Sequence, residues 1–521
     1  MNYKKYQKMY HPIPLEDRQW PNNEITHAPI WCSVDLRDGN QALYSPMTTE
    51  EKIEFFKFLV KLGFKEIEVG FPAASHTEFE FVRRLIDENL IPDDVTIQVL
   101  TQAREHIIKK TVEALKGAKN AIIHLYNSTS TLQREVVFRK SKEEIKQLAV
   151  DDAKLVMSLV DGQLDGNIRF EYSPESFTCT EPDYAAEVTN AVLDVFKPSE
   201  TNKVIVNLPS TIEVATANVY ADQIEYMCKH LNNREHLVIS VHAHNDRGTG
   251  VASSELALLA GADRVEGTIF GNGERTGNTD VITVALNMFC QGIDPELHLE
   301  NIDEIIEVYE KYNRLPINPR HPYAGEMAYV AFSGSHQDAI KKSMDKFGSS
   351  PSNKWANPYL TIDPTDIGRK YEPILINSQS GKGGVSYIME NKYGYTLPKP
   401  MLAEFSSLIT DMSDEKKTVL TNHEIHQAFK DTYVNVAEPI KTRFYRSTEE
   451  DDCTILSATI EKDGKVTSIE GKGNGPLDAL CNGLRQFLGQ QFEICNYTEH
   501  ALTRSSNSRA ATYIEINDHN H

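Results

Sequence analysis

The chain has 521 residues, of which 40% are hydrophobic and 25% are charged, and its formal net charge is −21. This composition is ordinary for a folded globular protein, and the length is sufficient for two to four domains. The acidic balance argues against a general nucleic-acid surface, which needs a basic face, although a few local Lys and Arg side chains can still hold an anionic cofactor.

The cysteines and the apolar runs of the sequence predict a cytoplasmic protein. The seven cysteines are odd in number and contain no Cys-x-x-Cys pair, so we expect reduced thiols rather than a disulfide framework or a structural zinc site. No apolar run approaches the roughly 20 residues that a membrane helix needs. The first 20 residues have no hydrophobic signal core and carry acidic residues, which argues against export and organelle import. We therefore expect neither nucleic acid nor a membrane as a partner.

A repeating unit of strand, loop and amphipathic helix begins after a polar, proline-containing arm at residues 1–27. The predicted strands occupy 30–34, 66–69, 96–100, 121–125, 169–172, 204–208, 238–241 and 264–268. The predicted helices occupy 49–62, 78–89, 104–116, 142–159, 184–196, 214–231, 251–260 and 279–289. Eight alternating units over about 260 residues predict an α/β fold of the (β/α)8 TIM-barrel type, which we place at 28–320. An open doubly wound sheet is the alternative, but no Gly-x-Gly-x-x-Gly follows the first strand.

Polar residues follow the predicted strands at their carboxyl ends, where a TIM barrel has its active site. In chain order they include Arg37, Asp38, His124, Tyr126, Ser173, Glu175, Asn207, Thr211, His242, His244, Glu274 and Asn278. Capping of the following helices explains some of the Asp, Ser and Thr residues, but not Arg37, Glu175 or the histidine pair.

The histidine pair gives the clearest chemical signal. An apolar, β-branched strand at 238–241 continues into His242-Ala243-His244, and residues two apart on a strand face the same side. One βα unit later, a glycine-rich loop brings Glu274 and Asn278 to the same edge. Alone, a His-x-His more often makes structural hydrogen bonds, but together with these oxygen ligands it favours a site for a divalent cation.

Beyond the barrel, residues 321–435 are predicted to form helical linker subdomains, and 430–445 to be a linker region. The remaining residues, 436–521, predict a small C-terminal α+β domain. Its strands are expected at 454–462 and 465–471, around an Asp463-Gly464 turn, and at 491–497 and 512–517, with a helix that ends near residue 488. Since this part has no catalytic cluster, we expect a regulatory or dimerisation role, with a purely structural role as the alternative.

Several motifs give the chain a family resemblance. Leu36-Arg37-Asp38-Gly39-Asn40-Gln41, with Lys52 eleven places on, and His242-Ala243-His244-Asn245-Asp246-Arg247-Gly248 resemble the 2-isopropylmalate synthase and homocitrate synthase family of metal-dependent Claisen-condensing barrels. The resemblance covers nearly the whole chain, including SGSHQDA, NSQSGKGG and GKGNGP. WCSVDLRDGNQAL, HLYNSTS, LPSTIEVATANVYAD and FGNGERTGN are most similar to the longer, yeast-like 2-isopropylmalate synthases.

The resemblance implies that an enolate of acetyl-CoA attacks the ketone of 3-methyl-2-oxobutanoate, and that hydrolysis then releases CoA and 2-isopropylmalate, the first committed step of leucine biosynthesis. A methyl group next to a thioester is a very weak carbon acid, so a base and stabilisation of the enolate oxygen are both needed. A divalent ion chelated by the oxo acid would make its ketone electrophilic. The alternatives are a sister citramalate or homocitrate synthase, a metal-dependent lyase on the same barrel, and a non-catalytic sensor.

The resemblance also implies roles for single residues. Asp38, His242 and His244 match the metal ligands, with Asn278 as a fourth ligand or close neighbour and Glu274 behind them. The ion would be magnesium, manganese, zinc or cobalt, with potassium as a further activator. Arg37 would stabilise the developing oxyanion and pair with Glu175 or Glu274, Glu175 would position substrate or water, and Thr211 would hold the carboxylate of the oxo acid. The side-chain pocket would be lined by Leu100, His124, Tyr126, Ser173, Asn207 and Pro209, of which Leu100 and His124 should favour a short branched oxo acid.

His336 and Tyr359 match residues that the family brings to the barrel mouth from a partner subunit, where His336 acts with Glu175 in proton abstraction. The resemblance therefore implies a homodimer with a shared active site. In the family, leucine binds between two similar halves of the terminal domain. Because this sequence stops at His521, after the strand that would open the second half, we expect a shortened domain whose candidate leucine-effector residues are 471–475 and Ala479.

Overall fold

The structure is a computed structural model that describes residues 1–102, 104–347, 354–369, 382–416, 420–434, 436, 439–450, 453–502 and 509–517. The chain divides into two compact units. The first contains Met1–Ala328 and Pro364–Lys370, and the second contains Tyr329–Asp363 and Tyr371–His521.

The first unit is built on a closed barrel of eight parallel strands, in which β8 pairs with β1. The strands are β1 Ile30–Ser33, β2 Glu66–Gly70, β3 Thr96–Thr101, β4 Asn120–Ser128, β5 Asn167–Glu175, β6 Val204–Ser210, β7 Leu237–Ala243 and β8 Arg264–Gly267. β2, β6 and β7 are buried along their whole length, as expected for parallel strands that are covered by helices. The predicted TIM barrel is confirmed, with small shifts at the strand ends.

Helices alternate with these strands in the predicted order. They are α1 Thr49–Lys61, α2 His76–Asp87, α3 Glu105–Leu115, α4 Lys142–Val160, α5 Pro182–Phe196, α6 Ala217–His230, α7 Gly250–Leu259 and α8 Val281–Phe289, followed by α9 Ile302–Asn313. Both α1 and α4 begin with capping boxes, in which Thr48 and Ser141 exchange hydrogen bonds with a glutamate three residues later. Such local signals explain why these helices could be located from the sequence.

The centre of the barrel is ionic rather than apolar. Arg264 is fully buried and donates hydrogen bonds to Glu66 at 2.6 Å, Glu266 at 2.6 Å, Gln98 at 2.7 Å and Ser240 at 2.8 Å. Residues two apart on a strand face the same side, so the next interior residue of each strand lies one step nearer the carboxyl end. This layer of charged residues therefore lies directly below the carboxyl ends of the strands, where the sequence predicts the active site.

The second unit contains five α-helices and two antiparallel sheets in its described part. The first four helices are α10 Gly334–Phe347, α11 Lys382–Tyr393, α12 Lys399–Lys416 and α13 Asn422–Phe429. Residues of α11, α12 and α13 share an apolar core that includes Val385, Phe405, Ile409, Ile425 and Phe429. The motif segment 377–381 lies outside the described residues, and α11 begins directly after it.

The C-terminal module consists of a three-stranded sheet, a helix and a two-stranded sheet. Its elements are β9 Ile440–Glu450, β10 Cys453–Lys462, β11 Lys465–Gly473, α14 Pro476–Leu488, β12 Glu493–Ala501 and β13 Ala510–Asn517. The predicted turn joins β10 to β11, and both of its residues, Asp463 and Gly464, have positive φ, as in a type I′ hairpin. Leu456, Ile460 and Ile469 pack with Ala479 of α14. The α+β prediction is confirmed.

The segment predicted as a linker region, residues 430–445, contains regular structure. Lys430–Val434 forms a short helical segment, and Ile440–Glu450, which begins within this region, forms the edge strand β9. β9 is almost wholly exposed, so it lacks the apolar alternation that reveals a strand.

Among the described residues, no helix is both long enough and apolar enough to cross a membrane.

Candidate active site

Asp38 lies in a short helical segment, Asp35–Gly39, that follows β1 at the carboxyl end of the barrel. The segment is fixed to the end of β8 because the Asp35 carboxylate accepts hydrogen bonds from the Ile269 backbone N–H and the Ser33 hydroxyl. Asp38 itself is buried. Its carboxylate is thus held at a fixed place on the barrel rim.

The two histidines reach the same place from β7 and the residue after it. His242 Nε2 lies 3.6 Å from Asp38 Oδ2, and His244 Nε2 lies 4.0 Å from the same oxygen. One ligand atom from each of the three buried residues lies within 4.8 Å of the other two. The sequence prediction that the imidazoles project together is therefore met, and the three residues surround one point.

The surroundings of these residues fit a divalent ion. The Nδ1 atoms of His242 and His244 face Glu266 Oε2 at 2.8 Å and the Gly277 carbonyl at 3.3 Å, which leaves both Nε2 atoms for the cluster. Asn278 donates through Nδ2 to Asp38 Oδ2 at 2.8 Å, while its buried Oδ1 has no hydrogen-bond partner. Two imidazole nitrogens, a carboxylate and an unpartnered amide oxygen form a mixed N and O donor set that suits such an ion.

The pKa values of the cluster reflect its burial and its charges. Burial alone would raise the pKa of Asp38, but Arg37 and His242 outweigh it and hold that pKa well below its ordinary value. Burial would lower the pKa of His242, but its contacts with Asp38 and Glu266 raise it to about 9. Burial and the charge of His242 lower the pKa of His244 to about 4.

A cavity of about 260 Å³ opens beside the cluster. Its lining contains most of the predicted site residues, namely Arg37, Asp38, Leu100, His124, Tyr126, Ser173, Glu175, Asn207, Pro209, Thr211, His242, His244 and Glu274. Gln41 and Arg275 also line it and were not predicted, although each lies in a motif that the sequence marks. The prediction that residues at the carboxyl ends of the strands share one site therefore identified lining residues from every strand except β2.

Arg37 is paired differently from the prediction. Its side chain donates to Asp38 Oδ1 at 2.9 Å and to Glu68 of β2, which is fully buried. Glu175 instead accepts a hydrogen bond from Ser128, and Glu274 is 3.4 Å from Gln41. The expected ion pair of Arg37 with Glu175 or Glu274 is therefore wrong, because the adjacent strand supplies the carboxylate.

A line of hydrogen bonds fixes the floor of the cavity. Asn207 Nδ2 donates to Ser173 Oγ at 3.0 Å, and that hydroxyl lies 2.7 Å from His124 Nε2. His124 Nδ1 lies 2.9 Å from Glu68 Oε2, the same carboxylate that holds Arg37. The pocket wall and the guanidinium beside the metal cluster are thus held by one continuous network.

His336 and Tyr359 belong to the second unit, whereas the cavity is lined by residues of the first. Their rings stack with a centroid separation of 4.0 Å, and Tyr359 is exposed. The roles that the resemblance implies for this pair stay predictions.

Three family models match the chain. An HMGL-like model matches residues 28–308, a model described as "Alpha-isopropylmalate synthase, post-catalytic domain-like" matches 326–390, and the "LeuA allosteric (dimerisation) domain" matches 419–521. Together they follow the barrel, the region after it and the C-terminal module.

Curated relatives match along nearly the whole chain. The 2-isopropylmalate synthases of Acetoanaerobium sticklandii, Clostridium acetobutylicum and Helicobacter hepaticus are 54%, 54% and 53% identical to it. Each alignment covers 99% of this chain, and they cover 91%, 94% and 94% of the respective relatives.

Solved structures are more distant. An HMG-CoA lyase from Brucella melitensis has a TM-score of 0.44 and 17% identity over 56% of this chain and 100% of that chain. The hydroxymethylglutaryl-CoA lyase of Pseudomonas aeruginosa has a TM-score of 0.44 and 18% identity over 55% of this chain and 92% of that chain.

Proposed function

The chain belongs to the 2-isopropylmalate synthase family, and from this premise we propose that it condenses acetyl-CoA with 3-methyl-2-oxobutanoate and water to give 2-isopropylmalate and CoA. This reaction is the first committed step of leucine biosynthesis. The observation that carries the proposal is the buried cluster of Asp38, His242 and His244 at the wall of a cavity of about 260 Å³. That volume suits the small oxo acid.

We propose that Asp38, His242 and His244 hold a divalent ion, with Asn278 Oδ1 as a further donor. When bound, the ion would supply Lewis acidity to the ketone of the oxo acid. Magnesium, manganese and zinc are all compatible with nitrogen and hard oxygen donors, and a potassium activator stays a prediction.

We propose that Arg37 stabilises negative charge that develops on the reacting oxygen. Its Nε and one Nη atom are held by Glu68 and Asp38, so the guanidinium has a fixed orientation. This pairing also fixes the direction of the remaining N–H groups of the guanidinium, and the Arg37 side chain lines the cavity. A donor that is already oriented before the reaction stabilises an oxyanion without reorganisation during it.

Removal of a proton from the acetyl methyl needs a base near the cavity. Glu175 lines the cavity and is oriented by the Ser128 hydroxyl, so we assign it to the positioning of substrate or water. We further propose that His336 and Tyr359 of a second copy complete the site, with His336 as the base. The match to a dimerisation domain at 419–521 supports a homodimer.

The lining of the cavity favours an oxo acid with a single carboxylate. Both arginines that line it already have carboxylate partners, because Arg37 is paired with Asp38 and Glu68, and Arg275 is paired with Asp246. A second carboxylate, as in 2-oxoglutarate, would meet no unpaired arginine among the described lining residues. Leu100 and Pro209 instead offer apolar surface to a branched alkyl group.

Leucine is proposed as an effector through the C-terminal module, in line with the matched allosteric domain. The candidate effector residues lie in a tight contact between strand and helix. A Cβ at Gly471 would lie 1.9 Å from the Ala479 carbonyl, so β11 and α14 touch backbone to backbone there. We also propose a cytoplasmic location, which agrees with the absence of disulfides among the seven cysteines, all of which are described.

The test is release of free thiol from acetyl-CoA with a panel of 2-oxo acids, repeated after chelation and with leucine added. We expect metal-dependent turnover that is highest with 3-methyl-2-oxobutanoate. A maximum at pyruvate or 2-oxoglutarate would move the protein to a sister activity. No turnover with any oxo acid, in protein that still binds a divalent ion, would contradict the proposal.

A further inference from the structure

Arg275 connects three loops at the rim of the cavity. It lies between β8 and α8, donates through Nε to Asp246 Oδ1 at 2.7 Å, and donates through Nη2 to the Thr211 carbonyl at 2.6 Å. Asp246 belongs to the loop after β7, and Thr211 to the loop after β6. Arg275 also lines the cavity with Thr211. One guanidinium thus joins three neighbouring strand ends beside the candidate metal cluster.

The hydrogen bond from Arg275 to the Thr211 carbonyl is important because it helps to fix the position of the Thr211 hydroxyl. Its oxygen accepts a hydrogen bond from the Ser176 backbone N–H at 3.0 Å. With that lone pair occupied, the hydroxyl proton is left to be donated elsewhere, and Thr211 faces the cavity. The Ser176 and Arg275 contacts together fix both the side chain and the backbone of Thr211.

The backbone of Arg275 adopts an uncommon conformation, and its ion-pair partner Asp246 is itself held in place. Its φ is 57°, in the left-handed region that non-glycine residues seldom adopt. Its partner Asp246 accepts a hydrogen bond from the Glu213 backbone N–H at 3.1 Å, and Glu213 in turn accepts one from the Arg247 backbone N–H at 2.6 Å. This chain of contacts gives Asp246 a defined position, from which it orients the guanidinium.

The charges around the cavity explain why such a residue is needed. Three carboxylates line the cavity, from Asp38, Glu175 and Glu274. They would repel the carboxylate of an incoming oxo acid. Both lining arginines are paired with carboxylates, Arg37 with Asp38 and Glu68 and Arg275 with Asp246, so neither offers an unpaired charge to the oxo acid. A neutral donor, the Thr211 hydroxyl that Arg275 helps to orient, is therefore left to hold the carboxylate.

We propose that Arg275 is a positioning residue for the carboxylate of the oxo acid. It holds the Thr211 backbone so that the Thr211 hydroxyl donates to that carboxylate. This inference rests on the proposed function, since it assigns a role within the same cavity.

The test compares Arg275→Gln and Arg275→Lys with the unmodified enzyme. We expect KM for 3-methyl-2-oxobutanoate, and its dissociation constant from metal-loaded enzyme, to rise by about 10- to 100-fold in Arg275→Gln, because a charge-assisted hydrogen bond is lost. KM for acetyl-CoA should stay within about twofold. Arg275→Lys should be intermediate, since an ammonium keeps the charge but cannot form the same two-pronged contact.

Arg314→Gln is the matched control. Arg314 also has a left-handed φ, of 59°, and 43% side-chain exposure, and it pairs with Glu51 at 2.6 Å and donates to backbone carbonyls. It does not line the cavity. Both kinetic constants should therefore remain those of the unmodified enzyme.

A double-mutant cycle with Thr211→Val separates positioning from a general structural effect. If Arg275 acts through Thr211, the loss in oxo acid affinity in the double variant will be clearly smaller than the product of the two single losses. Independent losses, or a rise confined to KM for acetyl-CoA, would overturn the inference. If Arg275→Gln does not fold, Asp246→Asn tests the same contact, and unchanged oxo acid binding there would also overturn it. Failure of the proposed function is distinguishable, because the unmodified enzyme would then show no turnover.

Discussion

The middle of the barrel interior buries charged side chains, whereas the C-terminal module buries an apolar cluster. In the barrel, Arg264, Glu171 and Glu266 are at most 1% exposed and lie at the centre of the strands. In the module, the buried cluster consists of Leu456, Ala458, Ile460, Ile469 and Ala479. Burying a charge is costly unless it is paired, whereas apolar burial is favourable without any specific partner. The module thus contains what a small sheet and helix need for folding, while the barrel carries groups that folding alone does not require.

The buried charges of the barrel are connected to the candidate site. Glu266 contacts both Arg264 and His242, and Glu68 contacts both Arg37 and His124. Burial and the neighbouring Glu266 raise the pKa of Glu171 well above its ordinary value. The buried charged residues therefore orient the cavity-lining groups from below. The free-energy cost of burying them is retained because the chemistry of the site depends on this orientation.

The largest effect is expected from the metal cluster itself. Asp38→Asn removes the carboxylate of the donor set, so kcat/KM for thiol release should fall by at least about 10⁴-fold, which corresponds to more than 5 kcal/mol. Bound metal, measured by elemental analysis after dialysis, should fall from one ion per chain to a small fraction. Asp93→Asn, at an exposed aspartate that pairs with Lys119, should change neither quantity. Undiminished turnover in Asp38→Asn would refute the site.

A large loss of stability is expected at the centre of the barrel. Arg264→Met removes the guanidinium that pairs with the buried Glu66 and Glu266, which keep Arg169 and His242 as their respective neighbours, and should lower the free energy of unfolding of the barrel by about 3–5 kcal/mol in urea denaturation. Arg443→Met is the matched change in the module, where the arginine is 54% exposed and pairs with Glu461. It should cost less than about 1 kcal/mol. Equal effects of the two substitutions would remove the distinction between the regions.

Metal affinity should depend on pH through His242. Its pKa is raised to about 9 in the metal-free cluster, from an ordinary value of 6.5, so the proton that stabilises this cluster is fully bound below 6.5 and is lost as pH rises through 9. A metal ion must displace that proton. The apparent affinity should therefore strengthen by about tenfold, or 1.4 kcal/mol, between pH 7 and 8. Isothermal titration in buffers of different ionisation enthalpy would reveal the released proton, and an affinity independent of pH would contradict this reading.

The smallest effect is expected in the apolar cluster of the module. Ile460→Val removes one methylene group from a side chain that is 1% exposed, and should lower the free energy of unfolding by about 0.5–1.5 kcal/mol. Metal content and the rate of thiol release at saturating substrate should not change. A clear loss of metal from this variant would show that the two regions are energetically coupled, against the separation described above.

The sequence revealed most of the barrel because its strands are continuously buried and its helices carry capping residues, as at Thr48 and Ser141. It did not reveal β9, whose exposed side chains have no apolar alternation. The prediction from the carboxyl ends of the strands located His242 and His244 because a period of two residues fixes which side they face.

Other parts of the site depend on contacts that a linear pattern does not encode. Arg37 is paired with Glu68 from the next strand, because the direction of the Arg37 side chain determines which carboxylate it meets. Arg275 reaches Thr211 only because its backbone adopts a left-handed conformation. Both residues lie in recognisable motifs, but their partners are determined by tertiary structure.

The most direct test of the central claim is a cobalt(II) titration of metal-free enzyme, followed by visible absorption and repeated with 3-methyl-2-oxobutanoate. The account predicts saturation at one equivalent per chain, and a change in the cobalt bands on addition of the oxo acid before any acetyl-CoA is present. Both signals should be absent in Asp38→Asn. Cobalt bands that form normally in Asp38→Asn, or that do not respond to the oxo acid in the unmodified enzyme, would contradict the assignment of the barrel cluster as the place where the oxo acid is activated.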